Sequence, residues 1–178
     1  MKINLLSDIK KMFDEVRVLS TTELVFSSDV RKACIQNLCG RYNTNWSCPP
    51  ACGSIEELKA IIQSYQHILI VTKIYQLQDP FDLETMEEGR KEITSLLRKL
   101  NKKYQLTKNN MMILGVGSCD LCSPCLYPSK ACSYPEERII ALEGAGIDCL
   151  ALAKSANIKY YNGQNTLTYF AAILYNEE

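Results

Sequence analysis

Only one histidine, His67, occurs in the 178 residues. That scarcity excludes the H-E-x-x-H metalloprotease pattern, which needs two, and any Ser-His-Asp set would have to use His67, the residue that opens an apolar run. Lys plus Arg number 20 and Asp plus Glu number 20, so the basic excess that usually marks a nucleic-acid-binding protein is missing. No apolar run approaches the roughly 20 residues of a membrane helix. The opening Met1-Lys2-Ile3-Asn4-Leu5-Leu6 soon meets Asp8, Lys10 and Lys11, which is too short and too charged for a signal h-region. A phosphate loop is absent, and Gly115-x-Gly117 lacks the third glycine of a dinucleotide fingerprint. These absences predict a cytoplasmic protein without a membrane span, with nucleic acid an unlikely partner.

Cysteine, by contrast, is plentiful. Nine occur: Cys34, Cys39, Cys48, Cys52, Cys119, Cys122, Cys125, Cys132 and Cys149. Eight fall in two groups of four, and the ninth stands alone. An odd count without an export signal fits a disulfide framework poorly, and in a reducing compartment grouped cysteines read as metal ligands or redox thiols.

The second group reads Cys119-Asp120-Leu121-Cys122-Ser123-Pro124-Cys125, with Cys132 seven positions on. A C-x2-C-x2-C loop lets three thiolates meet one face of an iron–sulfur cubane, and a further cysteine supplies the fourth ligand or reaches a second cluster. Zinc sites usually show two separated C-x2-C pairs. Equal spacing therefore favours a cluster, with zinc and redox thiols as alternatives. The first group, Cys34-x4-Cys39-x8-Cys48-x3-Cys52, is less diagnostic. Its thiols can hold their own cluster, or three of them can join Cys132. The radical-type triplet C-x3-C-x2-C fails here, because the third position after Cys48 and Cys52 is Ile55.

Arg31, Lys32, Arg41, Lys130 and Arg138 flank the groups, as cluster counter-charges or as solvated surface. Trp46 sits between candidate ligands, either as a shield from water or as simple packing. His67 opens an apolar run and reads as a structural residue, and Cys149 as a small core residue.

Around the cysteines, helix and strand signals interleave. Leu5, Leu6, Ile9, Met12, Phe13 and Val16 recur at helical spacing. Residues 24–53 read as a loop carrying the first group. Ser54 and Glu57 form a capping box ahead of a helix over 54–65. His67–Tyr75 and Met111–Val116 read as buried strands, Asp82 caps a helix running to about Tyr104, and Thr166–Tyr175 makes a last strand. Ser133 and Glu136 predict another capped helix containing Ile139, Ile140 and Leu142 and ending at Gly144 or Gly146, followed by a helix over 147–156. The expectation is one domain over 1–178, of α/β or α+β class, with a single sheet, packed helices and cysteine-rich metal-binding loops.

The segments CGRYNTNWSCPP, CDLCSPCLYPSKAC and PEERIIALEGAGID, in that order, resemble a prokaryotic family of predicted metal-binding, cysteine-rich proteins of unknown function. The likeness runs from about Val25 to Tyr175. It implies metal binding and lands on Cys34, Cys39, Cys48, Cys119, Cys122, Cys125 and Cys132, with Cys52 the least matched position. Glu143 and Asp148 also match, although a helix terminus would explain both. Where relatives often read Arg-Pro-Ser-Met, this chain has Arg138-Ile139-Ile140-Ala141-Leu142.

The sequence thus predicts an iron–sulfur protein holding one or two [4Fe–4S] clusters and exchanging electrons with a redox partner protein. A zinc-stabilised binding module and an enzyme with an open cluster site are the alternatives.

Overall fold

A computed structural model describes residues 3–177. The strands are β1 (Glu15–Ser20), β2 (His67–Gln76), β3 (Met112–Gly115), β4 (Ile140–Ala141) and β5 (Thr166–Tyr175). The helices are α1 (Ile3–Met12), α2 (Ser28–Ile35), α3 (Ile55–Gln63), α4 (Leu83–Tyr104) and α5 (Cys149–Ser155). All five strands join one mixed sheet in the order β1-β2-β5-β3-β4, an α+β fold within the class the sequence predicts.

β2 and β5 form its centre, antiparallel from His67 opposite Tyr175 to Gln76 opposite Thr166. Both read as unbroken apolar runs because both of their faces are covered. On one face, Ile68, Ile70, Phe170, Ala172 and Leu174 pack with Leu58 and Ile62 of α3 and Leu152 of α5. On the other, Leu69, Val71, Ala171 and Ile173 pack with Leu5 and Ile9 of α1 and Ile93, Leu97 and Leu100 of α4. Alternate residues of each strand thus feed two cores.

The helix starts follow the sequence signals. Ser54 and Glu57 make the reciprocal capping box of α3, and the Asp82 carboxylate accepts from the Thr85 N–H at the head of α4. Asp148 accepts from the Leu150 and Ala151 N–H groups and begins α5, so a helix terminus does explain that residue. His67 packs beside the Tyr175 ring, centroids 5.2 Å apart. Among the described residues, no helix is long and apolar enough to cross a membrane.

Four expectations are corrected. The opening helix stops at Met12, and Val16 belongs to edge strand β1, which pairs with β2 alone. The supposed loop over 24–53 contains α2, which has no buried residue and so no apolar stripe to announce it. The helix expected after Ser133 does not form. The Tyr134 carbonyl accepts from the Glu137 and Arg138 N–H groups, but that turn is not continued. Instead Leu114 pairs with Ile140 and Gly115 with Ala141, in parallel. Ile139 and Ile140 therefore enter opposite cores, a period of two rather than 3.6. Finally, Glu143–Ala145 is a 3-10 turn closed by Gly146 at φ 81°, and α5 starts only at Cys149.

Leu97 is fully buried whereas Ile61 of α3 is half exposed. Leu97→Ala is expected to lower the unfolding free energy by about 2–5 kcal/mol, and Ile61→Ala by no more than about 0.5 kcal/mol, in urea titrations followed by circular dichroism.

Candidate metal centre

The connection from β3 to β4, residues 116–139, contains no regular helix or strand. Connections of that length in a compact fold usually carry function. Cys119, Cys122, Cys125 and Cys132 all line one pocket of this loop, together with Trp46, Leu121 and Tyr134. The second sequence group is thus brought together as a set of four.

The loop is fixed from two sides. From α4, Arg98 approaches Asp120 at 2.6 Å and Arg90 approaches it at 3.9 Å, while Arg90 also donates to the Ser118 carbonyl. From the first cysteine loop, the Cys119 N–H donates to the Ser47 hydroxyl at 2.8 Å, and that hydroxyl donates to Asn45 Oδ1 at 2.6 Å. Asn45 and Ser47 are both buried, so this short chain operates in a low dielectric where each bond strengthens the next. Trp46 Nε1 donates to the Lys130 carbonyl, Arg138 donates to the Trp46 carbonyl, and Tyr127 donates to Asn43 Oδ1. The Trp46 and Tyr127 rings meet edge to face at 4.9 Å. Trp46 lies between Cys39 and Cys48 in sequence, yet its side chain lines the pocket of the other group.

The first group is divided. Cys34 at the end of α2, with Cys39 and Cys48 of the following loop, lines a cleft of about 320 Å³. Its other walls include Glu87 and Arg90 of α4, Gly117 and Ser118 beyond β3, and Glu143 and Gly144 beyond β4. Cys52 does not line this cleft. It is 7% exposed within the core beside α3 and α5, with Sγ 3.6 Å from the Gly144 carbonyl. Arg31 locks this corner by donating to the Gly53 and Gly144 carbonyls at 3.1 and 2.7 Å. The flanking cations therefore differ in use. Arg31 and Arg138 brace backbone, Lys32 pairs with Asp29 on the surface, and Arg41 lines the cleft.

Glu143 is the site residue that spacing did not reveal. Its side chain reaches into the cleft, open to solvent there but crowded by protein, and burial pushes its pKa upward. The buried Cys149 thiol donates to its Oε1 at 3.4 Å. Burial and the adjacent Glu143 push that thiol far up as well, which makes Cys149 an inert core residue rather than a nucleophile.

The donor chemistry of both sites fits a thiophilic metal. All nine cysteines are free, and soft thiolates select zinc or iron–sulfur clusters. Among the described residues, however, no three Cys, His, Asp or Glu side chains converge closely enough to hold a single ion. The four thiols of the second group instead ring a space of about 20 Å³, roughly one water. A metal held there would require an adjustment of the loop, drawing in around an ion or opening around a cluster.

Desolvation raises the thiol pKa of Cys34, where Arg31 opposes it, and of Cys48 and Cys52. It raises that of Cys122 too, with Cys125, Cys119 and Cys132 adding to the shift. A raised thiol pKa means a proton that the metal must displace, so binding strengthens as pH rises. Zinc affinity of the reduced metal-free protein, measured against a competing chelator, is expected to fall by about tenfold per pH unit for each thiol deprotonated on binding as pH drops from about 8 to 6.5.

The sequence model of one protein family, described as predicted metal-binding protein (DUF2284), matches residues 17–175. Among curated proteins and among solved structures, nothing matches. The matched segment starts ahead of the first cysteine group, runs through both and ends at the last residue of β5. The chain thus belongs to this predicted metal-binding family.

Proposed function

We propose that this protein is an iron–sulfur protein that passes electrons to or from a redox partner in the reducing cytoplasm, with a [4Fe–4S] cluster held by Cys119, Cys122, Cys125 and Cys132 and a second metal site at the first cysteine group. The observation that carries the reading is the set of four free thiols around one pocket, three of them in C-x2-C-x2-C spacing. That spacing suits one face of a cubane. Bound there, the cluster would supply one-electron chemistry.

The chain's own residues would set its environment. Trp46, Leu121 and Tyr134 line the pocket beside the thiols, which stay partly exposed. Arg138 lines the same pocket and would offset part of the negative charge that thiolate ligands bring, while Arg98 and Arg90 pair with Asp120 at its rim. Burial, charge and hydrogen bonding are the factors by which a protein sets a cluster's potential.

The test is paramagnetic resonance of anaerobically purified protein before and after dithionite. A signal that appears on reduction, disappears on reoxidation, and is lost from the second site in Cys122→Ser but kept in Cys149→Ser is the expected result. A silent spectrum in both states, from protein that nevertheless carries metal, would contradict electron transfer through iron–sulfur clusters and favour zinc.

A further inference from the structure

We propose that the first cysteine group is an open metal site: Cys34, Cys39 and Cys48 supply three thiolates, Cys52 supplies none, and the remaining coordination position faces the cleft, where a small organic anion with a sulfur or oxygen donor binds. This rests on the metal-binding reading above and assigns a different task to each site.

The first support is the contrast in surroundings. The second group has four thiols around a pocket of about 20 Å³, whereas the first has three thiols on a cleft of about 320 Å³. Closed four-ligand sites hold a metal as structure or relay, while three protein ligands beside an accessible space leave a position for an exogenous ligand. A space of that size matches the lower end of small-molecule sites.

The second support is the state of Cys52. Its Sγ lies 3.6 Å from the Gly144 carbonyl oxygen and 3.9 Å from that of Gly53. A thiol can donate its proton to such oxygens, but a thiolate ligand would face their lone pairs. Arg31 Nη1 also approaches Cys52 Sγ at 3.9 Å and opposes the effect of burial, but its shorter hydrogen bonds, at 3.1 and 2.7 Å, go to those same two carbonyls. Gly53, directly after Cys52, takes φ 110°, a conformation that other residues rarely adopt.

The third support is position. The cleft lies beyond the carboxyl ends of β3 and β4, the parallel pair among the described strands, where the chain leaves β3 into the loop that carries the second cysteine group. This placement brings in two polar groups. Arg90 is engaged by Glu87 through bonds of 2.8 and 2.7 Å, which leaves Arg41 to meet an anion. Glu143 also lines the cleft and uses Oε1 for Cys149, which leaves its other carboxyl oxygen for the ligand.

Mercaptoacetate is the probe, since its thiolate suits the metal and its carboxylate suits Arg41 and Glu143. Metal content per chain would be measured for the unaltered protein, Cys52→Ala and Cys34→Ser. Spectra of the reduced protein would be recorded with and without the probe. Cys52→Ala is expected to keep its full metal content, whereas Cys34→Ser loses the share of one of two sites, about half if both hold the same cluster. Mercaptoacetate should change the paramagnetic spectrum of the unaltered protein and of Cys122→Ser, and Arg41→Ala should raise the concentration needed by about tenfold.

Loss of the same metal share from a folded Cys52→Ala, or a spectrum unmoved by the probe while iron is fully present, overturns the open site and leaves the metal reading standing. Protein with no cysteine-bound metal at all overturns both. If Cys52→Ala fails to fold, the response of the unaltered protein to mercaptoacetate decides.

Discussion

The hydrogen bond from the Cys119 N–H to the buried Ser47 hydroxyl makes the two cysteine loops one object. Ser47 sits next to Cys48, and Cys119 opens the second group, so a single contact joins segments 72 residues apart. Both Ser47 and Asn45 are withdrawn from water, and removing one partner would leave buried polar groups unsatisfied, at about 1–3 kcal/mol each. The Trp46 indole, the Arg138 guanidinium and the Tyr127 hydroxyl repeat the stitch at neighbouring points. Neither loop contains strand or long helix to hold its shape, so this braced seam is what orders the thiols.

The seam also explains how one short segment serves two sites. Within Asn45–Cys48, Trp46 covers the second group while Cys48 lines the cleft of the first. Ser47 touches both. Two sites that share a wall can exchange electrons or transmit a change in loop position, and the difference between four thiols around a small pocket and three on a wider cleft suggests a division between relay and ligand binding.

Much of the scaffold is legible in the sequence because its signals are local. Ser54 with Glu57, and Asp82 ahead of an apolar stripe, announce α3 and α4. β2 and β5 stand out as apolar runs, since both faces are covered. What escapes is whatever depends on a partner. α2 buries nothing, and β1 is an edge strand with an incompletely buried face. β4 is two residues long and exists only by pairing with β3, so Ile139 and Ile140 pass for a helical stripe. The same holds at the sites. The second group is readable because its four cysteines share one loop. Glu143 meets the first group only through the parallel register of β3 and β4, and Cys52, grouped with Cys34, Cys39 and Cys48 by sequence, is buried in the core.

The central claim is that these thiols hold iron–sulfur clusters, and chemical analysis tests it most directly. Protein purified without oxygen would be assayed for iron, acid-labile sulfide and zinc per chain beside its visible absorption. The account predicts iron and sulfide in equal amounts, about four or eight of each, with a broad band near roughly 400 nm that bleaches on reduction. Zinc without iron or sulfide, in a colourless protein, would contradict it.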